Sequence, residues 1–148
     1  MEKTLVLIKP DGVQRRLCGE IIGRFERKGL RVVAAKFVRP ARELASLHYA
    51  VHAGKSFYEE LLKFLTSGPT FAMVLEGREA VSAVRAMMGP TDGAKAPPGT
   101  IRGDFGLSIQ NNLVHGSDSV ENAAKEISLW FQPDELVDWT PSDAAVVG

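Results

Sequence analysis

Lys9, Arg85 and Arg102 are cations in settings that can fix a charge: the end of an apolar run, the shoulder of an amphipathic helix, and a glycine-flanked loop. Thr91, Asn112 and Ser117 add hydroxyls and an amide able to bond phosphate or sugar oxygens. Such a mixture suits a polyphosphate, because permanent cations neutralise the anionic oxygens while hydroxyls orient them. His115 lies among these residues, and Glu126 follows one helix later. An unprotonated imidazole is a competent nucleophile, and a carboxylate on one ring nitrogen fixes the tautomer and leaves the other free to attack. Phosphoryl transfer is the chemistry this set suggests. On residue types alone, His115 could also be a general base, a metal ligand or a filled corner. Lys9 is either a snorkelling surface residue or a fixed charge aimed into a site.

The stretch that carries the histidine is Asn112-Leu113-Val114-His115-Gly116-Ser117-Asp118-Ser119. Leu113 and Val114 read as a short buried strand and Gly116 as a hinge. Asp118 or Ser119 can cap the following helix, and Asp118 with Glu121 has capping-box spacing. His115 is therefore expected just past a strand end, beside a helix N-terminus that attracts anions. That helix places Val120, Ala123, Ala124, Ile127, Trp130 and Phe131 on one face, with Glu126 on its shoulder.

Other elements follow from periodicity. Thr4–Ile8 is a continuous apolar run, expected as a central strand buried on both faces and ended by the turn Lys9-Pro10-Asp11-Gly12. Cys18, Ile21, Ile22 and Phe25 form the inner stripe of a helix stopped by Gly29, with Cys18 as a small core hydrophobe. Arg31–Val38 and Thr70–Leu75 read as strands. A helix after Pro40 carries Leu44, Leu47, His48 and Val51 on one stripe. Further helices carry Phe57, Leu61, Phe64 and Leu65, then Val81, Val84 and Met88. Residues 89–103 form the longest irregular stretch, of a length usually reserved for function or assembly. Residues 134–148 form a tail apolar enough to dock on this subunit or a neighbour. The order β-α-β-α-α-β-α-loop-β-α fits an α+β fold. We expect a ferredoxin-like split β-α-β, a four-stranded antiparallel sheet with helices on one face, as a single domain over residues 1–148.

Two patterns are decoys. His48 and His52 have the spacing of a metal pair but no accompanying glutamate or cysteine ligand. Gly54-Lys55-Ser56 resembles the end of a phosphate-binding P-loop, but Tyr49 stands where that loop needs glycine, and a helix precedes it instead of a strand.

Balanced charge, with 18 basic and 18 acidic residues, gives no electrostatic reason for non-specific nucleic-acid or membrane binding. No apolar run approaches the ~20 residues of a membrane span. The N-terminus leaves no room for a signal peptide, and one cysteine forms no intramolecular disulfide. The expectation is a cytoplasmic protein.

Lys9-Pro10-Asp11-Gly12-Val13, His48-Tyr49, Ser67-Gly68-Pro69, Gly99 to Phe105 and Asn112 to Ser119 together resemble the nucleoside diphosphate kinase family, over essentially the whole chain. The resemblance implies ping-pong transfer of the γ-phosphate from a nucleoside triphosphate such as ATP or GTP to His115, and then to a nucleoside diphosphate. It implies that Lys9, Tyr49, Arg85, Thr91, Arg102 and Asn112 contact phosphates and ribose, and that Phe57 stacks on the base. Ser117 and Glu126 would orient the histidine. Mg2+ would bridge the phosphates, without direct protein side-chain ligands. A homo-oligomer is implied, a hexamer ahead of a tetramer. The competing readings are a catalytically silent nucleotide-binding or scaffolding relative, against which every motif position is intact, and a nucleic-acid binder, against which the neutral charge speaks. One departure is Asp92-Gly93, where many relatives have Asn-Pro. The exchange is expected to loosen a loop that packs between subunits in hexameric relatives. The tail 143–148 also departs from the family pattern and is assigned no role.

Overall fold

A computed structural model describes residues 1–148. The apolar run at the N-terminus becomes β1 (Glu2–Ile8), an interior strand, and the other strands are β2 (Arg31–Val38), β3 (Thr70–Gly77) and β4 (Val114–Gly116). They form one sheet in the order β2-β3-β1-β4, with every neighbouring pair antiparallel. The helices are α1 (Pro10–Gln14), α2 (Cys18–Lys28), α3 (Arg42–His48), α4 (Tyr58–Leu65), α5 (Ala80–Met88), α6 (Ile101–Phe105), α7 (Val120–Trp130) and α8 (Ala144–Val147). The expected class and the split β-α-β topology are both present.

Alternation along β1 sends side chains into two separate cores. Val6 and Ile8 join Ile21 and Phe25 of α2 and Val84 and Met88 of α5 on one face. Leu5 and Leu7 join Ala45 of α3, Leu62 and Leu65 of α4 and Trp130 of α7 on the other. The four β1 side chains are fully buried, each stabilising the fold by about 1.5–3 kcal/mol. The expectation of helices on one face is thus corrected. The insertion α3–α4 and the C-terminal α7 cover the second face, which is why Thr4–Ile8 carries no polar alternation.

Several local readings also change. Pro10 does not merely end a strand: it occupies the first position of the one-turn helix α1. The stretch 89–103 is not irregular to its end, since Thr100 caps α6 by accepting from the Gly103 N–H at 2.9 Å. The helix after Pro40 stops at His48 and continues as a 3-10 turn, Ala50–His52. That break leaves Leu47 56% and Val51 80% exposed, so they do not share an inner stripe with Leu44. Gly29 caps α2 at φ +107°, as its position predicts. The tail docks on this subunit: the Val137 N–H donates to Val33 O at 2.8 Å and Trp139 Nε1 to Val32 O at 2.9 Å, occupying the free edge of β2.

Gly93 is buried and tightly seated. A Cβ built there would lie 2.5 Å from the Gly106 carbonyl carbon, and the Asp92 carboxylate accepts from the Ala94 N–H at 3.0 Å. Within the chain, then, this turn is close-packed. Gly93→Pro should therefore destabilise the protein by about 1–3 kcal/mol, the range of core overpacking. Chemical denaturation measures it, and a gain in stability would contradict the packing.

Candidate active site

His115 is not beyond a strand end, as expected, but in the middle of β4, paired with Leu7 of β1. Gly116 is not a hinge either. A Cβ there would lie 2.9–3.0 Å from Met88 and Val84, so the glycine lets β4 sit close on α5. The helix cap falls to Ser119, which accepts from the Asn122 N–H at 3.0 Å. Asp118 instead accepts from the Asn122 side-chain amide at 2.6 Å, and the capping box does not form.

The histidine is held by a chain of hydrogen bonds. Its Nε2 lies 2.8 Å from Glu126 Oε1, and Ser117 Oγ donates to the same oxygen at 2.8 Å. The Leu5 N–H of the central strand donates to Ser117 Oγ at 3.2 Å. Burial works to raise the Glu126 carboxyl, but the bonds and charges of His115 and the Ser117 hydroxyl outweigh it and hold the group below the usual carboxylate range. A carboxylate is therefore present to accept the Nε2 hydrogen, and in the neutral imidazole this tautomer puts the lone pair on Nδ1.

Cations surround this unit. Lys9 is 8% exposed, which decides between snorkelling and a fixed charge in favour of the latter. Its Nζ donates to Asn112 Oδ1 and lies 5.7 Å from the centre of the Phe64 ring. Burial pulls the lysine down to about 8, opposed by Asp11 and assisted by Arg102. Arg102 donates to Asn112 O at 3.0 Å, Gly89 O at 2.9 Å and Val114 O at 2.7 Å, so three of its five N–H groups brace backbone. Burial and the nearby Arg85 pull it to about 10. Arg85 is exposed and reaches Gly116 O at 3.4 Å. Asn112 Nδ2 donates to Thr91 O at 3.4 Å, whereas no bond forms to the Thr91 hydroxyl. The Tyr49 hydroxyl is pushed up to about 12 by burial and by Asp11. Nine of the expected residues thus fall in one neighbourhood. Phe57 lies at its rim, 44% exposed, with His52 and Lys55 as its ring neighbours.

Two residues in contact with the site had no role in the sequence reading. One is His48, at the end of α3. Its ring packs edge-on against His115, with centroids 4.6 Å apart, and its Nδ1 accepts from Trp130 Nε1 at 3.2 Å. The spacing of the two histidines pointed to a ligand pair, whereas the end of α3 separates them. Asp11 accepts from the Leu113 N–H at 2.9 Å, and its place in a turn signature concealed that long-range bond. Leu113 itself adopts φ +74°, a left-handed conformation costing a non-glycine residue roughly 1–2 kcal/mol.

A family model described as nucleoside diphosphate kinase matches residues 2–136. The chain belongs to the nucleoside diphosphate kinase family. It is 60% identical over 138 residues to the nucleoside diphosphate kinase of Staphylothermus marinus, covering 93% of this chain and 98% of that one. Against that of Synechococcus elongatus it is 56% identical over 142 residues, covering 96% and 95%. Among solved structures, the halophilic nucleoside diphosphate kinase of Halobacterium salinarum in complex with CDP superposes with a TM-score of 0.97 at 52% identity, over 99% of this chain and 98% of that one. A nucleoside diphosphate kinase family protein from Babesia bovis gives 0.98 at 46% identity over the whole of both chains. Membership in a nucleoside diphosphate kinase family makes this chain a nucleotide-binding phosphotransferase, not a silent relative. No helix is long and apolar enough to cross a membrane.

His48 also predicts an acid sensitivity. Burial, then the charges of His115 and Lys9, lower it to about 3, against a pull from Glu126. An unfolded histidine takes its proton near ~6.5. Between those values the unfolded chain binds the extra proton, so stability falls as pH falls, by up to about 1.4 kcal/mol per pH unit for one proton. Urea unfolding from pH 6.5 towards 4 should show that contribution, and His48→Gln should lose it. An unchanged slope in the variant would place the proton uptake elsewhere.

Proposed function

We propose that this chain, acting as one domain over residues 1–148, transfers the γ-phosphate of a nucleoside triphosphate to a nucleoside diphosphate through a phosphohistidine at His115. The observation that carries the reading is the bond from His115 Nε2 to Glu126 Oε1, 2.8 Å long, which leaves Nδ1 as the nucleophile among three cations. In the first half-reaction Nδ1 attacks the γ-phosphorus, the bond to the β,γ-bridging oxygen breaks, and the diphosphate leaves with the electron pair. A second diphosphate then attacks the phosphohistidine and the same steps run in reverse.

Lys9 and Arg85 face the charge that develops on the transferring group and its leaving oxygen, where preorganised cations act most strongly. Arg102 adds charge from its outer N–H groups while bracing the backbone beneath. Tyr49, Thr91 and Asn112 offer neutral donors for phosphate and ribose. Phe57, at the exposed rim, offers a face on which any base can stack, which makes the reaction tolerant of purines and pyrimidines. ATP, GTP and other nucleoside triphosphates are the substrate class.

The chain holds no cluster of three or more histidine, cysteine or carboxylate side chains suited to a metal. We read Mg2+ as held by the nucleotide phosphates, where it would neutralise charge. We place the enzyme in the cytoplasm on its single unpaired cysteine. We read it as a homo-oligomer, a hexamer ahead of a tetramer, with exposed Leu107 and Ile109 available for burial between copies.

Incubation with γ-labelled ATP should give acid-labile label on the protein, discharged on addition of a nucleoside diphosphate. His115→Gln should take up none. A labelled His115→Gln, or a wild type that turns over without any labelled intermediate, would overturn the proposal.

A further inference from the structure

The segment before β4 is bent and strained, and one carboxylate holds it. Leu113 is fully buried at φ +74°, between Asn112, which bonds Lys9, and the strand carrying His115. Both polar groups of its backbone are taken by the turn after β1. The Leu113 N–H donates to Asp11 Oδ2 at 2.9 Å, and Leu113 O accepts from the Lys9 N–H at 2.9 Å. Gly12 completes the wrap: a Cβ there would lie 3.2 Å from Leu113 O. The other carboxylate oxygen, Asp11 Oδ1, is buried with no hydrogen-bond partner. A buried, incompletely satisfied carboxylate is costly unless its charge is used. The cations near it are Lys9 and Arg102.

We propose that Asp11 is a positioning residue of this enzyme, whose carboxylate latches the strained Asn112–Leu113 bend against the turn that carries Lys9; the assignment rests on the phosphotransfer reading above. The latch sets where Asn112 meets Lys9 and where β4 begins, and so the spacing between the ammonium and the His115 ring. The charge has its own consequence. Lys9 is faced by Asp11 from α1, by Arg102 from α6, by His48 (uncharged near neutral pH) from α3, by the Phe64 ring from α4 and by the Asn112 amide. Asp11 is the one anion in that set. It counters burial and Arg102, which together pull the lysine to about 8. Without it the ammonium is lost at lower pH.

Two variants separate the latch from the charge. Asp11→Asn keeps an oxygen for the Leu113 N–H but removes the charge, whereas Asp11→Ala removes both. In Asp11→Asn, hydrogen exchange at Leu113 should remain slow, and the Lys9 titration followed by NMR should move down by about one pH unit, the low end of a neighbouring-charge effect. The alkaline limb of His115 phosphorylation by ATP should move with it. In Asp11→Ala, Leu113 exchange should accelerate and turnover fall by about 10²-fold, the scale of a small misplacement at a reacting centre, while affinity for the nucleoside diphosphate stays within threefold. A merely structural aspartate would leave the Lys9 titration and the alkaline limb of Asp11→Asn where they are in the wild type. That result, or unchanged Leu113 exchange in Asp11→Ala, would overturn the assignment. A wild type that takes no label from ATP would defeat the phosphotransfer reading, and the exchange and titration would still decide whether Asp11 latches Leu113 and charges Lys9.

Discussion

One carboxylate oxygen ties His115 to the sheet. Glu126 Oε1 meets both His115 Nε2 and the Ser117 hydroxyl at 2.8 Å, and Ser117 in turn receives the backbone N–H of Leu5. Three elements therefore share one hydrogen-bonded unit: α7 supplies the carboxylate, β4 the histidine with Ser117 just beyond its end, and β1 the anchoring amide. Ser117 is fully buried, so removing any member would leave another polar group unpaired in the interior. The position of the imidazole is thus set by groups that cannot relax cheaply, which is what preorganisation for the proposed reaction at Nδ1 requires.

The cations are held by a different device. Lys9 ends a strand whose side chains are buried on both faces, so its backbone has no freedom to drift. Arg102 bonds three carbonyls, from Gly89, Asn112 and Val114, and so links the long loop to the segment that carries the histidine. Desolvation works against both charges. Both groups are pulled below their ordinary values, so the protein leaves these charges incompletely paired, as the proposed binding of a polyphosphate needs. A strained Leu113 sits between these two devices, and its cost is offset by the backbone bonds on either side of it.

Much of this was legible in the residue order, and the reasons for the remainder are physical. Long apolar runs and helical stripes report burial, so β1, α2 and α7 were readable as elements, although Val120 and Ala124 of the expected α7 stripe are exposed. The two short helices α1 and α6 were hidden because five residues carry less than two turns of periodicity. The second covered face was hidden because a strand buried on both sides says nothing of which helix lies on which. At the site, side chains with charge or hydroxyls announced themselves, and nine of ten gathered as expected. Asp11 and His48 did not announce themselves, because their partners, Leu113 and Trp130, are 102 and 82 residues away. Gly116 was misread for a related reason. Its lack of a side chain serves close packing on Met88, which only the tertiary structure reveals.

The central claim is that Glu126 occupies one ring nitrogen of His115 and leaves the other to react. The position of the phosphoryl group on the ring tests it directly. After phosphorylation by ATP and alkaline digestion, comparison with Nδ1- and Nε2-phosphohistidine standards, or phosphorus NMR of the intact enzyme, should place the phosphate on Nδ1. Phosphate on Nε2 would mean that the nitrogen facing Glu126 is the nucleophile, and would contradict the account.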